Sequence, residues 1–278
     1  MRRTLSSILN PPSSEIAQIV FAVLKPQTTL DYKAWTISCG DVEISEGDHK
    51  KIDAMVKRWH NGEPIEYIVG SILFDGLKLA VNHDVLIPRP ETAELIELIK
   101  KHLTEVSHPL TLVDVGTGSG VIAISLKKWA NLNKINLKII VTDISPKALD
   151  IAKSNSAQLI QSSQIDFRCG NLLDPITEPV DIIVANLPYI PSKDLEKLDL
   201  SVTKYEPLLA LDGGKDGYFL IDKLLEQTKQ KLTPNGVIFL EIYDEHNIDH
   251  FKKFTDFETK ILPDSFGRTR FAVLRKIS

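Results

Sequence analysis

The chain has 278 residues, 43% hydrophobic and 25% charged, a balance that allows a sizeable buried core and excludes a disordered or fibrous protein. Its formal net charge of −4 lacks the basic surplus with which proteins grip nucleic acid phosphates, so no direct nucleic acid partner is expected. Cys39 and Cys169 lie far apart without metal-ligand spacing, which excludes a disulfide framework or zinc site, and no apolar stretch approaches the length of a membrane span.

In chain order, Arg2 and Arg3 precede a Ser- and Pro-rich stretch at 4–14 with no sustained apolar run, so no signal peptide and a cytoplasmic location are expected. SSEIAQIVFAVLK at 13–25 and DHKKIDAMVKRW at 48–59 carry apolar residues at helical spacing, with Ser13 a candidate N-cap for the first. The stretch at 28–40 between them is ambiguous. Lys50, Lys51, Lys57 and Arg58 are interspersed with Asp48 and Asp53, which reads as a solvated helix face rather than a basic patch. From 65 to 87, alternation and Gly76 predict a hairpin. The expected organisation is a small helical domain at 1–61, a hairpin linker at 62–90 and a larger domain at 91–278.

Beyond the linker, helical and strand patterns alternate: helix 93–103, strand 111–115, helix 121–130, strand 138–142, helix 146–159, strand 180–185, helix 217–231 and strand 236–242. FETKILPD and RTRFAVLRK then read as a terminal antiparallel hairpin. That succession predicts an α/β fold with a doubly wound, mostly parallel sheet.

Two constellations lie at the carboxyl ends of predicted strands, where open α/β sheets bind ligands. In LVDVGTGSGVIAISL at 112–126 an apolar strand ends in Asp114 and leads through Gly116, Thr117, Gly118, Ser119 and Gly120 into a helix. The G-x-G-x-G spacing is a poor match to the dinucleotide fingerprint, but it lets backbone approach a ligand and places helix N-terminal amides beside it. The next strand ends in Asp143, a carboxylate able to accept hydrogen bonds from both hydroxyls of a ribose. A tight turn and a helix N-cap are the structural alternatives; the pair at this spacing favours a nucleoside-containing cofactor.

The second constellation is Asn186-Leu187-Pro188-Tyr189 behind VDIIVA at 180–185. Asn186 offers an amide oxygen, Pro188 stiffens the turn and Tyr189 supplies a flat face for a planar group, so together they can orient an NH2 group. A strand-ending turn with a capping Asn and a core Tyr would use the same residues.

These features resemble the S-adenosylmethionine-dependent methyltransferase fold, and three further stretches resemble the HemK/PrmC family, which methylates the side-chain amide of a glutamine in peptide chain release factors. They are GEPIEYIVGSILFDGLKLAVNHDVLIPRPET at 62–92, YEPLLALDGGKDGYFLIDKLL at 205–225 and DSFGRTRF at 264–271. The resemblance runs from about Gly62 to the C-terminus. It implies S-adenosyl-L-methionine as cofactor, held by residues 116–120, Asp143, Asn171 and Asn186, with no metal. The substrate would be the glutamine of the Gly-Gly-Gln motif of class I release factors, met by Asn186, Leu187, Pro188 and Tyr189 in a monomeric enzyme whose residues 1–61 help dock the partner. Asn186 and Tyr189 would be the catalytic pair: the Asn186 side-chain oxygen and the carbonyl of residue 187 each accept one N–H of the substrate amide, while Tyr189 packs on its plane.

The chain departs from the family pattern at Leu187, where a proline is usual, at Ala93, where a glutamate is frequent, and in EIYDEHN at 241–247, which lacks the usual glycine and glutamine. Asn-Leu-Pro-Tyr is also the form seen in rRNA adenine dimethyltransferases, the alternative enzyme reading, although that family does not account for the IPRPET stretch or the Glu-Pro block. A catalytically silent binding protein on the same fold is the alternative of another class.

Overall fold

In the computed structural model, residues 14–24, 44–106, 108–160 and 165–277 are described. Ser13, the segment at 28–40 and Cys39 lie outside them. The chain forms two compact units, one comprising Met1–Ser71 with Asp199–Tyr205, the other Ile72–Leu198 with Glu206–Ser278.

The first unit packs helices Ser14–Leu24, Glu46–His60 and Ile65–Val69 around Ile19, Val20, Leu24, Ile52 and Ile68. Ser45 caps the second helix by accepting from the Asp48 amide. Three basic residues of this helix are paired: Lys50 with Glu46 at 2.8 Å, Lys51 with Asp48 at 3.7 Å and Arg58 with Glu63 at 2.6 Å. The stretch expected to begin the hairpin at 65 instead starts with the helix Ile65–Val69. Pro64 leads into that helix and Gly70, at φ +72°, closes it in the left-handed region that a side chain disfavours. The hairpin proper is β1 (Ser71–Phe74) and β2 (Leu77–Ala80), turning through Gly76.

The second unit is built on a seven-stranded sheet of β3 (Leu110–Val115), β4 (Leu137–Asp143), β5 (Ile165–Cys169), β6 (Val180–Ala185), β7 (Leu232–Glu241), β8 (Phe257–Pro263) and β9 (Thr269–Lys276). Its order is β5-β4-β3-β6-β7-β9-β8. The first five strands in that order pair parallel, while β9 runs antiparallel to both β7 and β8. Successive residues of a strand face opposite sides, and β3 shows this directly. Leu112 enters the core beneath helices Pro90–Thr104 and Val121–Leu132, and Val113 enters the one beneath helix Phe219–Lys231. β7 begins four residues earlier than its sequence pattern predicts. Pro234-Asn235-Gly236 reads as a turn, and Asn235 does adopt φ +63°, but the segment is absorbed as an irregularity between two registers with β6.

The chain passes from β3 to β4 on one side and later inserts β6 on the other. A crevice therefore opens where the strand order reverses, outside the carboxyl ends of β3, β4 and β6. Both constellations singled out in the sequence lie there.

Candidate active site

A cavity of 280 Å³ occupies that crevice, bordered by Gly116, Thr117, Gly118, Ser119, Asp143, Asn171, Asn186, Leu187 and Pro188 among others. The glycine loop is held by its neighbours: the Gly116 and Thr117 amides donate to the Thr142 carbonyl at 2.8 and 3.1 Å, continuing the β3–β4 ladder. Gly118 has φ +54°, and a Cβ there would meet nothing within 4 Å, so its open face belongs to the cavity. Gly120 does a different job. At φ +82°, its Cβ would sit 3.0 Å from Ile124 Cδ1 and 3.1 Å from Ala152 Cβ, so the missing side chain lets two helices close on the loop.

Asp143 sits opposite this loop. Its Oδ2 accepts from the Gly118 amide and its Oδ1 from the Ser145 amide, both at 2.9 Å, while burial raises its pKa. The N-cap of the following helix is Ser145, which accepts from the Ala148 amide, so Asp143 is not spent on capping. Asp114 is fully buried behind the loop. One of its oxygens accepts from Thr117 Oγ1 at 2.7 Å and the Ala123 amide, the other has no partner among the described residues, and burial pushes its pKa up to about 7.

Asn186 leaves the end of β6 with its amide NH2 turned inward, donating to Glu241 Oε2 at 3.0 Å and Thr92 Oγ1 at 3.2 Å. Its Oδ1 receives no hydrogen bond from the described residues, and Asn186 borders the cavity. The Leu187 side chain is buried, with Cδ2 3.1 Å from where a Gly116 Cβ would stand. Tyr189 is placed differently from the sequence expectation of an open stacking face. It is not among the residues bordering the cavity, and its hydroxyl donates to Glu241 Oε1 at 2.9 Å.

The stretches that carry the family resemblance meet around this loop. Arg89 of the IPRPET stretch pairs with Glu206 of the Glu-Pro block, whose other oxygen accepts from the Ile87 amide. Thr92 reaches Glu241, and Glu91 pairs with Arg268 of the C-terminal stretch at 3.0 Å. The Gly-Gly-x-Asp-Gly block has a steric reason: a Cβ on Gly213 would lie 2.8 Å from the Pro188 carbonyl oxygen, and one on Gly217 would lie 2.2 Å from that of Tyr189. The backbone of the tetrapeptide rests on those two glycines.

Three residues of the site carry no local sequence signal of their role. Glu241 ends β7 and gathers Asn186, Tyr189 and Thr92; its place at a strand's carboxyl end is the cue that could have found it. Thr92 stands in the sequence only as the last residue of the IPRPET stretch. Asn155 bonds both the amide and carbonyl of Ala80 and the carbonyl of Ser119, fastening the hairpin to the glycine loop. A buried Asn inside a helix shows such a role only once its partners are known. Among the described residues no group of three or more His, Cys, Asp or Glu can hold a metal ion, and no helix is long and apolar enough to cross a membrane.

Comparison with known proteins narrows what this site belongs to. A methyltransferase-domain family profile matches residues 107–264. The chain is 40% identical over 232 residues to the release factor glutamine methyltransferase of Lactococcus lactis, covering 82% of this chain and 83% of that one. The protein of the same name from Streptococcus pneumoniae is 33% identical over 264 residues, 94% and 92% of the two chains. In fold, the chain is similar to a putative class I S-adenosylmethionine-dependent methyltransferase from Listeria monocytogenes, with a TM-score of 0.51, 16% identity and coverage of 95% and 87%. A methyltransferase from Pyrococcus furiosus gives a TM-score of 0.52 at 17% identity over 81% and 100%. The release factor glutamine methyltransferases, 40% and 33% identical over 82% and 94% of this chain, set aside the rRNA adenine dimethyltransferase reading. With its G-x-G-x-G loop, Asn-Leu-Pro-Tyr tetrapeptide and switch-point cavity, the chain belongs to the release factor glutamine methyltransferase family of S-adenosylmethionine-dependent enzymes.

Proposed function

We propose that this protein methylates the side-chain amide nitrogen of the glutamine in the Gly-Gly-Gln motif of a class I peptide chain release factor. The residues around the cavity fit S-adenosyl-L-methionine: Gly118 leaves a face that a Cβ would fill, Asp143 presents an acceptor-only carboxylate, and Asn171 lines the wall after β5. In this reading Gly116, Thr117, Gly118, Ser119 and Gly120 cradle the cofactor, Asp143 takes its ribose hydroxyls and Asn171 lies near its adenine. When bound, the cofactor supplies an electrophilic methyl group on a sulfonium.

A primary amide nitrogen is a poor nucleophile because its lone pair is delocalised into the carbonyl. The protein's task is to localise that pair. The Asn186 Oδ1 and the Leu187 carbonyl each accept one N–H of the substrate amide, which favours a more tetrahedral nitrogen and aims its lone pair. Preorganised acceptors of this kind act electrostatically and orient the reacting atoms without a strong base. Pro188 restricts the backbone that carries them, and Tyr189 holds Glu241 through its hydroxyl.

The observation that carries this reading is the orientation of Asn186, whose donors are satisfied by protein so that its acceptor is left for the cavity. A silent binding protein has no need of such an arrangement. The test is incubation of the protein with a purified release factor and labelled cofactor, followed by mass-spectrometric location of the methyl group. Transfer to the glutamine of Gly-Gly-Gln is expected; transfer to adenine in rRNA and none to glutamine would overturn the assignment.

Residues 1–61, which fall in the first compact unit, are proposed to help dock the release factor, and the protein to act as a cytoplasmic monomer. Substitutions on the exposed face of helix Glu46–His60 should then raise KM for the whole release factor more than for a Gly-Gly-Gln peptide. Equal effects would remove the docking role.

A further inference from the structure

An asparagine side chain is nearly symmetric in shape, so its neighbours decide whether nitrogen or oxygen faces a ligand. Around Asn186 two neighbours decide it. Glu241 is almost fully buried, and three donors converge on its two oxygens: Tyr189 Oη at 2.9 Å, Thr92 Oγ1 at 2.9 Å and Asn186 Nδ2 at 3.0 Å. The Thr92 hydroxyl spends its single proton on Glu241, so the lone pairs of its oxygen are what meets Asn186 Nδ2 at 3.2 Å. Both groups behind the amide are therefore acceptors. A flipped Asn186 would set its oxygen against two oxygens, losing two hydrogen bonds and gaining repulsion.

The carboxylate has support of its own. Burial is the largest influence on Glu241 and raises its pKa; the donors from Tyr189 and Thr92 and the charge of Arg270, a buried residue of the C-terminal stretch 3.7 Å from Asp264, work against that rise. A buried acidic group with its donors in place is a rigid reference point, and here it fixes two residues of the tetrapeptide at once.

We propose that Glu241 is a positioning residue: with Thr92 it locks the Asn186 amide nitrogen-inward, so that the side-chain oxygen is the group offered to the substrate NH2. The inference rests on the proposed role of Asn186 as a substrate acceptor, and it assigns that role's orientation to a residue outside the tetrapeptide.

Three variants test it. Glu241→Gln removes the charge and one acceptor, so kcat falls tenfold or more while KM for the release factor and cofactor affinity stay within about twofold. Asn186→Asp sets two carboxylates side by side, which cannot both ionise freely, and kcat falls further. In the double variant Asn186→Asp with Glu241→Gln, the new amide NH2 donates to the new carboxylate, whose other oxygen faces the cavity. Its kcat recovers at least tenfold over Asn186→Asp alone, a rescue that a merely structural Glu241 would not produce.

A readout free of turnover accompanies these. In the cofactor-free protein the Asn186 side-chain NH2 should be protected from solvent exchange in NMR spectra, and Glu241→Gln should lower that protection and shift both resonances. Wild-type kcat in Glu241→Gln, unchanged NH2 resonances or absence of rescue would overturn the proposal. If wild-type protein fails to methylate Gly-Gly-Gln yet the NMR change occurs, the functional reading fails and the lock stands. Should Glu241→Gln not fold, Thr92→Val must lower kcat at least threefold with cofactor affinity held, and an unchanged kcat there refutes the lock.

Discussion

Replacing Asp143 with alanine separates two jobs that the structure gives one carboxylate. Each oxygen already accepts a backbone amide, from Gly118 and Ser145 at 2.9 Å, and each retains a lone pair for a ligand hydroxyl. A hydrogen bond to a charged group contributes about 1.5–3 kcal/mol, so losing two ribose bonds costs about 3 kcal/mol at the lower bound. That corresponds to a rise in cofactor Kd on the order of a hundredfold. Calorimetric titration of cofactor into wild type and Asp143→Ala measures it. Because the carboxylate also pins the Gly118 amide, part of the loss can arise from a loosened loop, and a cofactor analogue lacking both ribose hydroxyls isolates that part. Wild type and variant should bind the analogue within a few-fold of each other. If the analogue loses as much affinity as the natural cofactor, Asp143 only holds the loop, and the ribose assignment is wrong.

Gly118→Val should weaken cofactor binding at least tenfold and lower Tm by only a few degrees, since the new side chain enters the cavity and the main penalty is about 1–2 kcal/mol of left-handed backbone strain; undiminished affinity would dissociate the loop from the cofactor. Gly217→Ala should do the reverse, because its Cβ would lie 2.2 Å from the Tyr189 carbonyl oxygen at φ +82°. Strain and overpacking together cost about 2–5 kcal/mol there, with turnover falling and cofactor Kd nearly unchanged. Asp114 makes stability depend on pH. Its folded pKa is raised by burial from 3.8 to about 7, so the folded protein binds the proton more tightly than the unfolded chain. Stability from this group is fully present below the unfolded pKa and is lost as pH rises towards about 7, a difference on the order of 4 kcal/mol. Urea unfolding of cofactor-free protein at pH 5 and pH 8 should show the part of that decline above pH 5, about 3 kcal/mol, and Asp114→Asn should flatten it; an identical slope in the variant would assign the dependence elsewhere.

Most of the sheet was legible because its strands are short apolar runs ended by Asp, Asn or Gly, and the strand-end rule then located Asp143 and Asn186 without further information. Local signals failed where geometry depends on distant partners. Ile65–Val69 alternates well enough for a strand but is closed into a helical turn by Gly70, and Pro234-Asn235-Gly236 resembles a turn yet is absorbed into β7. The Tyr189 side chain shows the same limit within the site. Its sequence neighbours place it at the cavity, whereas its hydroxyl points to Glu241, 52 residues away. Glu241 itself lies in EIYDEHN, a stretch whose visible feature was departure from the family pattern.

Leu187 departs from the usual proline, and the balance of magnitudes explains how the site accepts it. Proline would stiffen the loop by restricting the unfolded chain, worth about 0.4–1 kcal/mol. Leucine forgoes that and buries its side chain at 5% exposure, worth about 1.5–3 kcal/mol for a fully buried leucine. The buried group does not sink into the core at random. Its Cδ2 lies 3.1 Å from where a Cβ on Gly116 would stand, so the loop that presents Asn186 is packed on the loop proposed to carry the cofactor. Packing between the two loops thus replaces stiffness within one of them. Stability then favours leucine, while the carbonyl of residue 187, which the proposed chemistry uses, is common to both residues.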